Sequence, residues 1–427
     1  MVSVGERIKD IYRTEYKRRP VSTFFLTILI VFFAVFAVLV IITGGDALYN
    51  MFNANHSLYF SDHFDSVFYS YDRPYTFHHV IYPPLVTVFY AVLGDFIIPY
   101  VDIPGGMFLT PELIRDSQMG ILSFMIITAV TFYALFVIFS RLMKNADVRK
   151  ELLFLFTILL AYPFVYAVER GNSIIMALVF CFFFLLGYRS ENKYVRCASY
   201  IALGIAAGIK LYPAILWLLI VRERRYREAA VCMTIVAALI FLPFLLTDGD
   251  PMILLDSIGR HTEANLGFTN IDQIITAIFR EGLGVSAGIV AIIKYAAIGA
   301  FTLLSFIVIL FDKEMKFWKI LTVVSCNLIL GLGVGVQYQT VYMIIPILYF
   351  LAAEKEMSGG NMFYAACFAM MMAFIPVIEF AGLYPSAMAG AVESAFIIIV
   401  AIAVLREGLK RIYHKRSVNN NNADVSA

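Results

Sequence analysis

Residues 23–43 read TFFLTILIVFFAVFAVLVIIT, an uninterrupted apolar run without a charge, and they decide which solvent the chain folds in. Crossing roughly 30 Å of hydrocarbon by helix takes about 20 apolar residues, so this run is expected to span a membrane. Four more runs of similar length follow: Met119 to Phe139, Ala229 to Leu246, Ile289 to Phe311 and Ala387 to Leu405. Shorter apolar pieces, Leu152 to Val168, Ser173 to Gly187, Cys197 to Ile209, Leu211 to Val221, Ile320 to Val336, Val341 to Ala353 and Met362 to Phe380, bring the expected total to about twelve. Composition agrees, since 61% hydrophobic against 15% charged residues, with a mean hydropathy of +0.81, lies outside the soluble range. The expected fold class is therefore an all-α polytopic membrane protein. Helices too short to span, or broken by proline, are tolerated only against protein or a water-filled cavity. The first run is too long for a cleavable signal peptide and lacks a small-residue cleavage pattern, so it is expected to be permanent.

Orientation is read from Lys and Arg, which accumulate in short cytoplasmic loops. Six precede the first run (Arg7, Lys9, Arg13, Lys17, Arg18, Arg19), and clusters follow at Arg141 to Lys150, Arg189 to Arg196, Arg222 to Arg227, Lys313 to Lys319, Lys355 and Arg406 to Arg416. With an even number of spans these clusters share one face, and both termini are expected in the cytoplasm. The expected division is a basic N-terminus (1–22), the first span (23–43), an extracytoplasmic loop (44–117), a bundle (118–405) with an outer loop at 247–288, and a basic tail (406–427) whose low-complexity end, Asn419 to Ala427, is expected to be disordered. A net charge of +2 argues against a nucleic-acid surface. The cysteines, Cys181, Cys197, Cys232, Cys326 and Cys367, all fall in apolar runs, which points to core thiols and away from a disulfide framework.

Of the 33 basic residues, seven fall outside those clusters: Arg73, Arg115, Arg170, Lys210, Arg260, Arg280 and Lys294. A cation placed against the topological bias calls for an anionic partner. Arg170 lies in the turn Glu169-Arg170-Gly171-Asn172, and Lys210-Leu211-Tyr212-Pro213 interrupts what would otherwise be one apolar run. Proline there removes a backbone donor and breaks the helix. An Arg170 to Glu169 pair with a snorkelling Lys210 is the bland account; two such cations at helix breaks suit a lipid-borne phosphate better.

The loop Gly44 to Ser117 is expected to be a long non-helical insertion, with Pro84 to Val101 as a helix lying along the membrane surface. Its polar part, residues 61–85, reads SDHFDSVFYSYDRPYTFHHVIYPPL and concentrates Asp and His. Asp62 and Asp65 would share one face of a helix, with His63, His78 and His79 close by. A carboxylate there could deprotonate a hydroxyl, a His and carboxylate group could hold a divalent metal, or the segment could be a solvated loop. Adjacent His78 and His79 point in opposite directions if extended and make a poor chelating pair.

Asp65 followed by Tyr75 and Tyr82-Pro83-Pro84-Leu85, the Gly171-Asn172 turn, the Gly208-Ile209-Lys210-Leu211-Tyr212-Pro213 break, and Asn270 to Arg280 together resemble glycosyltransferase family 87. That family comprises polytopic C-type enzymes, among them polyprenol-phosphate-mannose-dependent mannosyltransferases. The resemblance runs from the first helix to about Arg280. Some mannosyltransferase members carry Trp and His near the end of a late helix, where this chain has Gln337-Tyr338-Gln339. The resemblance implies a C-type bundle and an inverting sugar transfer outside the cytoplasm. The donor would be a polyprenyl-phosphate sugar, the acceptor a glycolipid or glycan, and an Asp of the first outer loop the general base. The spacing before Tyr82-Pro83-Pro84 favours Asp65 over Asp62 for that role. Arg170, Lys210 and Arg280 would hold the leaving phosphate, and Tyr75, Tyr82, Asn172, Tyr212, His261 and Gln337 would line the substrate. No cofactor or metal is called for. A secondary transporter and a lipid-linked polysaccharide polymerase or ligase are the competing classes. No internal repeat supports the first, and the moderate size of the late loop Thr247 to Gly288 weakens the second.

Overall fold

The computed structural model describes residues 20–52, 59–71, 74–75, 81–105, 107–142, 157–247, 250–264, 268–331, 337–375 and 385–425. Among these, five helices are long and apolar enough to cross a membrane: Pro20–Ile42, Gln118–Leu142, Tyr226–Leu246, Ala287–Phe311 and Met388–Lys415. They coincide with the five long runs of the sequence. Four of them bury only 11% to 22% of their most apolar window, and the last buries half. The long helices therefore present their side chains to lipid, where apolar surface costs nothing. The interior is built from shorter helices, Tyr162–Glu169, Ile174–Gly187, Phe317–Cys326, Ile344–Ala353 and Gly359–Met372, whose side chains form one continuous apolar core. Helices that do not span need protein around their free backbone ends, and that is where these lie.

Proline and local widening explain why the inner helices are short. Pro163 and Pro213 each stand in the first turn of their element, where a missing N–H is harmless. The Lys193–Ile209 helix stops at Lys210, whose backbone is extended (φ −141°, ψ 126°), before a 3-10 turn over Tyr212–Trp217. Asn327–Gly331 is wound as a π-helix directly after Phe317–Cys326.

The segment 44–117 is not the non-helical insertion that its polarity suggests. It carries four helices, Asp46–Met51, Ser61–Tyr71, Pro84–Ile97 and Pro111–Asp116. The Ser61–Tyr71 and Pro84–Ile97 helices bury Phe64, Val67, Val86, Tyr90 and Ile97 together in a satellite core that also takes in Ala177 and Ile209 of the bundle. Close approach is enforced at Gly208, where a Cβ would stand 2.5 Å from Leu85 Cδ2. The opposite face of Pro84–Ile97 leaves Phe89, Val92 and Phe96 exposed, a surface suited to hydrocarbon. Four of the five cysteines are buried and all are free, but Cys197 is exposed and so is not a core thiol.

The basic clusters near residues 189–227, 313–319 and 406–411 are cross-linked by acids. Arg225 binds Glu223 and Glu228, Arg189 binds Glu223, Lys319 and Arg411 both bind Glu407, and Arg411 holds Asp312 at 2.8 Å. Arg222 reaches the carbonyls of Ile309 and Asp312.

Candidate functional site

The site begins with a helix end. Tyr162–Glu169 closes in a Schellman turn: the Gly171 N–H donates to Val168 O at 2.9 Å, and the Asn172 N–H donates to Ala167 O at 2.9 Å. Gly171 has φ +65°, the left-handed conformation that such a cap requires, and a Cβ there would stand 3.0 Å from Phe60 O and His63 Cβ. A side chain at that position would be strained by its backbone and would press on the helix seated above it.

That helix is Ser61–Tyr71, and its N-terminus docks on the turn by main-chain bonds. The Phe60 N–H donates to Glu169 O at 2.7 Å and the Asp62 N–H to Arg170 O at 2.9 Å. The free amides of one helix start thus meet the free carbonyls of another helix end. Asp62, in the first turn, is placed where the helix dipole favours an anion.

Side chains complete the joint. Arg170 Nη2 lies 2.6 Å from Asp62 Oδ1, with 17% and 14% of the two side chains exposed. Asn172 Nδ2 donates to Asp62 Oδ2, and its own Oδ1 accepts from the Ile174 N–H at 3.0 Å, which fixes the amide. The same Nδ2 lies 3.3 Å from the Tyr82 hydroxyl. Above the Tyr82 ring lies Lys210 Nζ, 4.2 Å from the centroid and 5.9 Å from that of Tyr338. Lys210 is buried with these aromatic faces as close neighbours and with Asp62 as the anion whose charge it feels. Tyr338 continues to Tyr166, 6.2 Å away and nearly parallel. Asp62, Arg170, Asn172, Tyr82 and Lys210 therefore converge, although more than 100 residues separate Asp62 from Arg170 along the chain.

Asp65 does not join that contact. One turn along the helix, it interacts with the charges of both Asp62 and Glu112, and burial with these two acids pushes its carboxyl up to about 6 against a weaker opposing pull from Arg170. His63, between the two acids, points into an aromatic cluster with Phe64, Tyr90 and Phe124, where burial lowers its imidazole to about 4 and keeps it neutral. Its Nε2 and the Ser173 hydroxyl are buried without a partner beside a cavity of about 30 Å³.

The remaining candidates part company. Tyr75 is fully buried at φ +64° and turns away from the charges; its hydroxyl donates to Tyr82 O at 2.7 Å and lies 2.8 Å from Thr87 Oγ1, so it braces the Tyr82 backbone. Tyr212 is core, edge-on to Tyr342 at 5.5 Å. Gln337 faces Gly390 of the last helix, while its neighbour Tyr338 is the residue brought to Lys210. Arg280 is exposed on the π-helical stretch Thr276–Gly282 and lies 3.7 Å from Glu281. His261 lies on Pro251–Ala264 with its side chain outside the described residues, as His78 and His79 are altogether. The bland Arg170 to Glu169 pair is replaced by Arg170 to Asp62: both oxygens of Glu169 are buried without a hydrogen-bond partner.

Sequence reasoning also passed over Glu393. It is 1% exposed, accepts from Thr340 Oγ1 at 3.0 Å, and interacts electrostatically with Tyr162 and Tyr166. The signal was present, since an acid inside the apolar run Ala387 to Leu405 is expensive and marks function by default. Among the described residues no group of three His, Cys, Asp or Glu gathers as a metal site.

A helical membrane bundle that gathers a carboxylate, two cations and tyrosine rings at breaks in its short helices has the equipment of a membrane-embedded transferase acting on sugars. The chain belongs to glycosyltransferase family 87, whose sequence pattern matches residues 80–326, more than half of the 427. The match takes in Tyr82, Arg170, Asn172, Lys210 and Arg280; Asp62 and Asp65 precede it and Gln337 follows it. No curated protein and no solved structure matches the chain.

Proposed function

We propose that this glycosyltransferase moves a mannose-like hexose from a polyprenyl-phosphate sugar to a glycolipid or glycan acceptor of the cell envelope, with inversion. The site lies on the extracytoplasmic face of the membrane, and both termini lie in the cytoplasm. The observation that carries this reading is the meeting of Asp62, Arg170 and Lys210 at one place. The acceptor hydroxyl loses its proton to a carboxylate as its oxygen attacks the anomeric carbon. The bond from that carbon to the phosphate oxygen breaks, and its electron pair leaves with polyprenyl phosphate. Arg170 and Lys210 supply preorganised positive charge for that leaving group, while Tyr82 and Tyr338 offer aromatic faces to a sugar ring. The reaction so drawn needs no cofactor.

Geometry favours Asp62 over Asp65 as the base, because Arg170 and Asn172 of the Gly171 turn both meet the Asp62 carboxylate, and Asn172 also reaches Tyr82, over which Lys210 lies. Asp65 shares the helix and feels the charges of Asp62, Arg170 and Glu112, but among the described residues it has no bond to Arg170 or Asn172. Orientation is supported by the basic clusters, none of which contributes to the site.

The decisive experiment supplies purified protein in liposomes with labelled polyprenyl-phosphate mannose and envelope material from the source cell. Transfer of label to a lipid-linked or envelope glycan is expected. Labelling from a nucleotide sugar, with none from any polyprenyl-phosphate hexose, would overturn the donor assignment.

A further inference from the structure

Resting on that reading, one contact makes two roles incompatible at once. Arg170 is to hold the leaving phosphate, yet its Nη2 is spent on Asp62 at 2.6 Å, and the Asp62 carboxylate, with Oδ1 on Arg170 and Oδ2 on Asn172, is itself taken up where an acceptor hydroxyl would have to reach it. We infer that the donor phosphate and the Asp62 carboxylate compete for Arg170, so that donor binding is the step that releases the base and the donor must bind before the acceptor.

The geometry permits such an exchange by side-chain motion alone. Main-chain bonds from Phe60 and Asp62 to Glu169 and Arg170 keep the two elements seated, so neither helix has to move. Asp62 retains a second anchor when the guanidinium leaves, because Asn172 Nδ2 still holds Oδ2, and that amide is oriented by the Ile174 N–H. Asn172 is thereby a positioning residue: it keeps the freed carboxylate aimed after its counter-ion has turned away. Lys210 feels the Asp62 charge but makes no direct ion pair among the described residues, so it can meet the phosphate first, from its place over Tyr82. A doubly liganded phosphate then outbids a carboxylate for the planar guanidinium, which binds either anion through the same N–H edges. When polyprenyl phosphate departs after transfer, the Asp62 to Arg170 pair re-forms. The pair therefore keeps the base occupied in the absence of donor.

The test measures binding of sugar-free polyprenyl phosphate to the detergent-purified full chain by calorimetry, with wild type, Asp62→Asn, Arg170→Ala and the double variant. Competition predicts that Asp62→Asn binds about fivefold tighter or more than wild type. Arg170→Ala should bind more weakly, and Asp62→Asn should bring no gain in the Arg170→Ala background. Equal or weaker binding by folded Asp62→Asn would overturn the exchange while leaving the donor assignment intact. If no variant, wild type included, binds polyprenyl phosphate, the donor assignment itself fails. Should Asp62→Asn not fold, isotope-edited infrared spectra of wild type carry the test: the aspartate carboxylate band shifts on adding polyprenyl phosphate if the pair opens, and a band that stays put overturns the exchange. Kinetically, polyprenyl phosphate should inhibit competitively against donor and not against acceptor.

Discussion

Two charged regions of this protein use the same residue types to opposite ends. Where Arg222, Asp312, Lys319, Glu407 and Arg411 meet, acids and bases are interlinked and Arg222 takes the carbonyls of Ile309 and Asp312, although Arg411 Nη2 is buried without a partner among the described residues. Around the Glu169–Asn172 turn, pairing is incomplete: Lys210 faces aromatic rings with no ion pair, and both oxygens of Glu169 lack a hydrogen-bond partner among the described residues. A buried charge that is paired and hydrogen-bonded is a structural fastening, whereas one left without a counter-ion bears a desolvation cost that a ligand can relieve. The difference separates a site from a brace without appeal to motif.

The contrast can be broken most severely at the site. Asp62→Asn, which keeps the shape but removes the base, is expected to lower kcat by about 10²–10⁴. Arg170→Ala and Lys210→Met should each cost about 10²–10³, as loss of one preorganised donor does elsewhere. Steady-state transfer assays check both, with protein shown folded by size-exclusion in detergent. In the braced region the effect should fall on stability instead. Asp312→Asn takes away one of the two acids of Arg411, leaving Glu407, and is expected to destabilise by about 1–2 kcal/mol. Thermal melts should reveal it, and an unchanged KM for the donor would show that the site is intact.

Asp65 offers a finer probe. Its folded-state carboxyl is raised from 3.8 to about 6, so its contribution to stability is present below pH 3.8 and is lost as pH rises through about 6. Asp65→Asn should flatten that part of the stability profile. If Asp62 is the base, the variant keeps the acid limb of the kcat profile; if that limb disappears together with activity, Asp65 is the base. The smallest effect is expected at Arg280. Exposed beside Glu281, it should change transfer by no more than about twofold when replaced by Ala.

Much of this was legible in the sequence, and the failures have physical causes. The long spans announce themselves because lipid demands length and apolarity together. Arg170 and Lys210 stood out because each defies the topological bias at a break. Spacing favoured Asp65 over Asp62, but three residues on a helix differ by only a fraction of a turn, and docking on the Gly171 turn puts Asp62 against Arg170. Tyr75 looked like a ring for a sugar, but its left-handed backbone turns it inward. Arg280 had the right residue type but is exposed beside Glu281. Tyr338 was hidden by its neighbour, because in a tight 3-10 turn adjacent side chains diverge and only one can face Lys210.

The seating of the Ser61–Tyr71 helix on carbonyls of residues 169 and 170 also sets a timetable for biogenesis. The helix leaves the ribosome 108 residues before the arginine that receives it. At about 5–20 residues per second, that is a wait of roughly 5–20 s with Asp62 unpartnered and the amides of its helix start open. The nascent chain must therefore pass through an interval in which this helix, its Phe64 and Val67 already able to pack on Pro84–Ile97, is held beside the membrane with its polar start unmet. The insertion machinery or a chaperone has to shelter it until the Gly171 turn has been made.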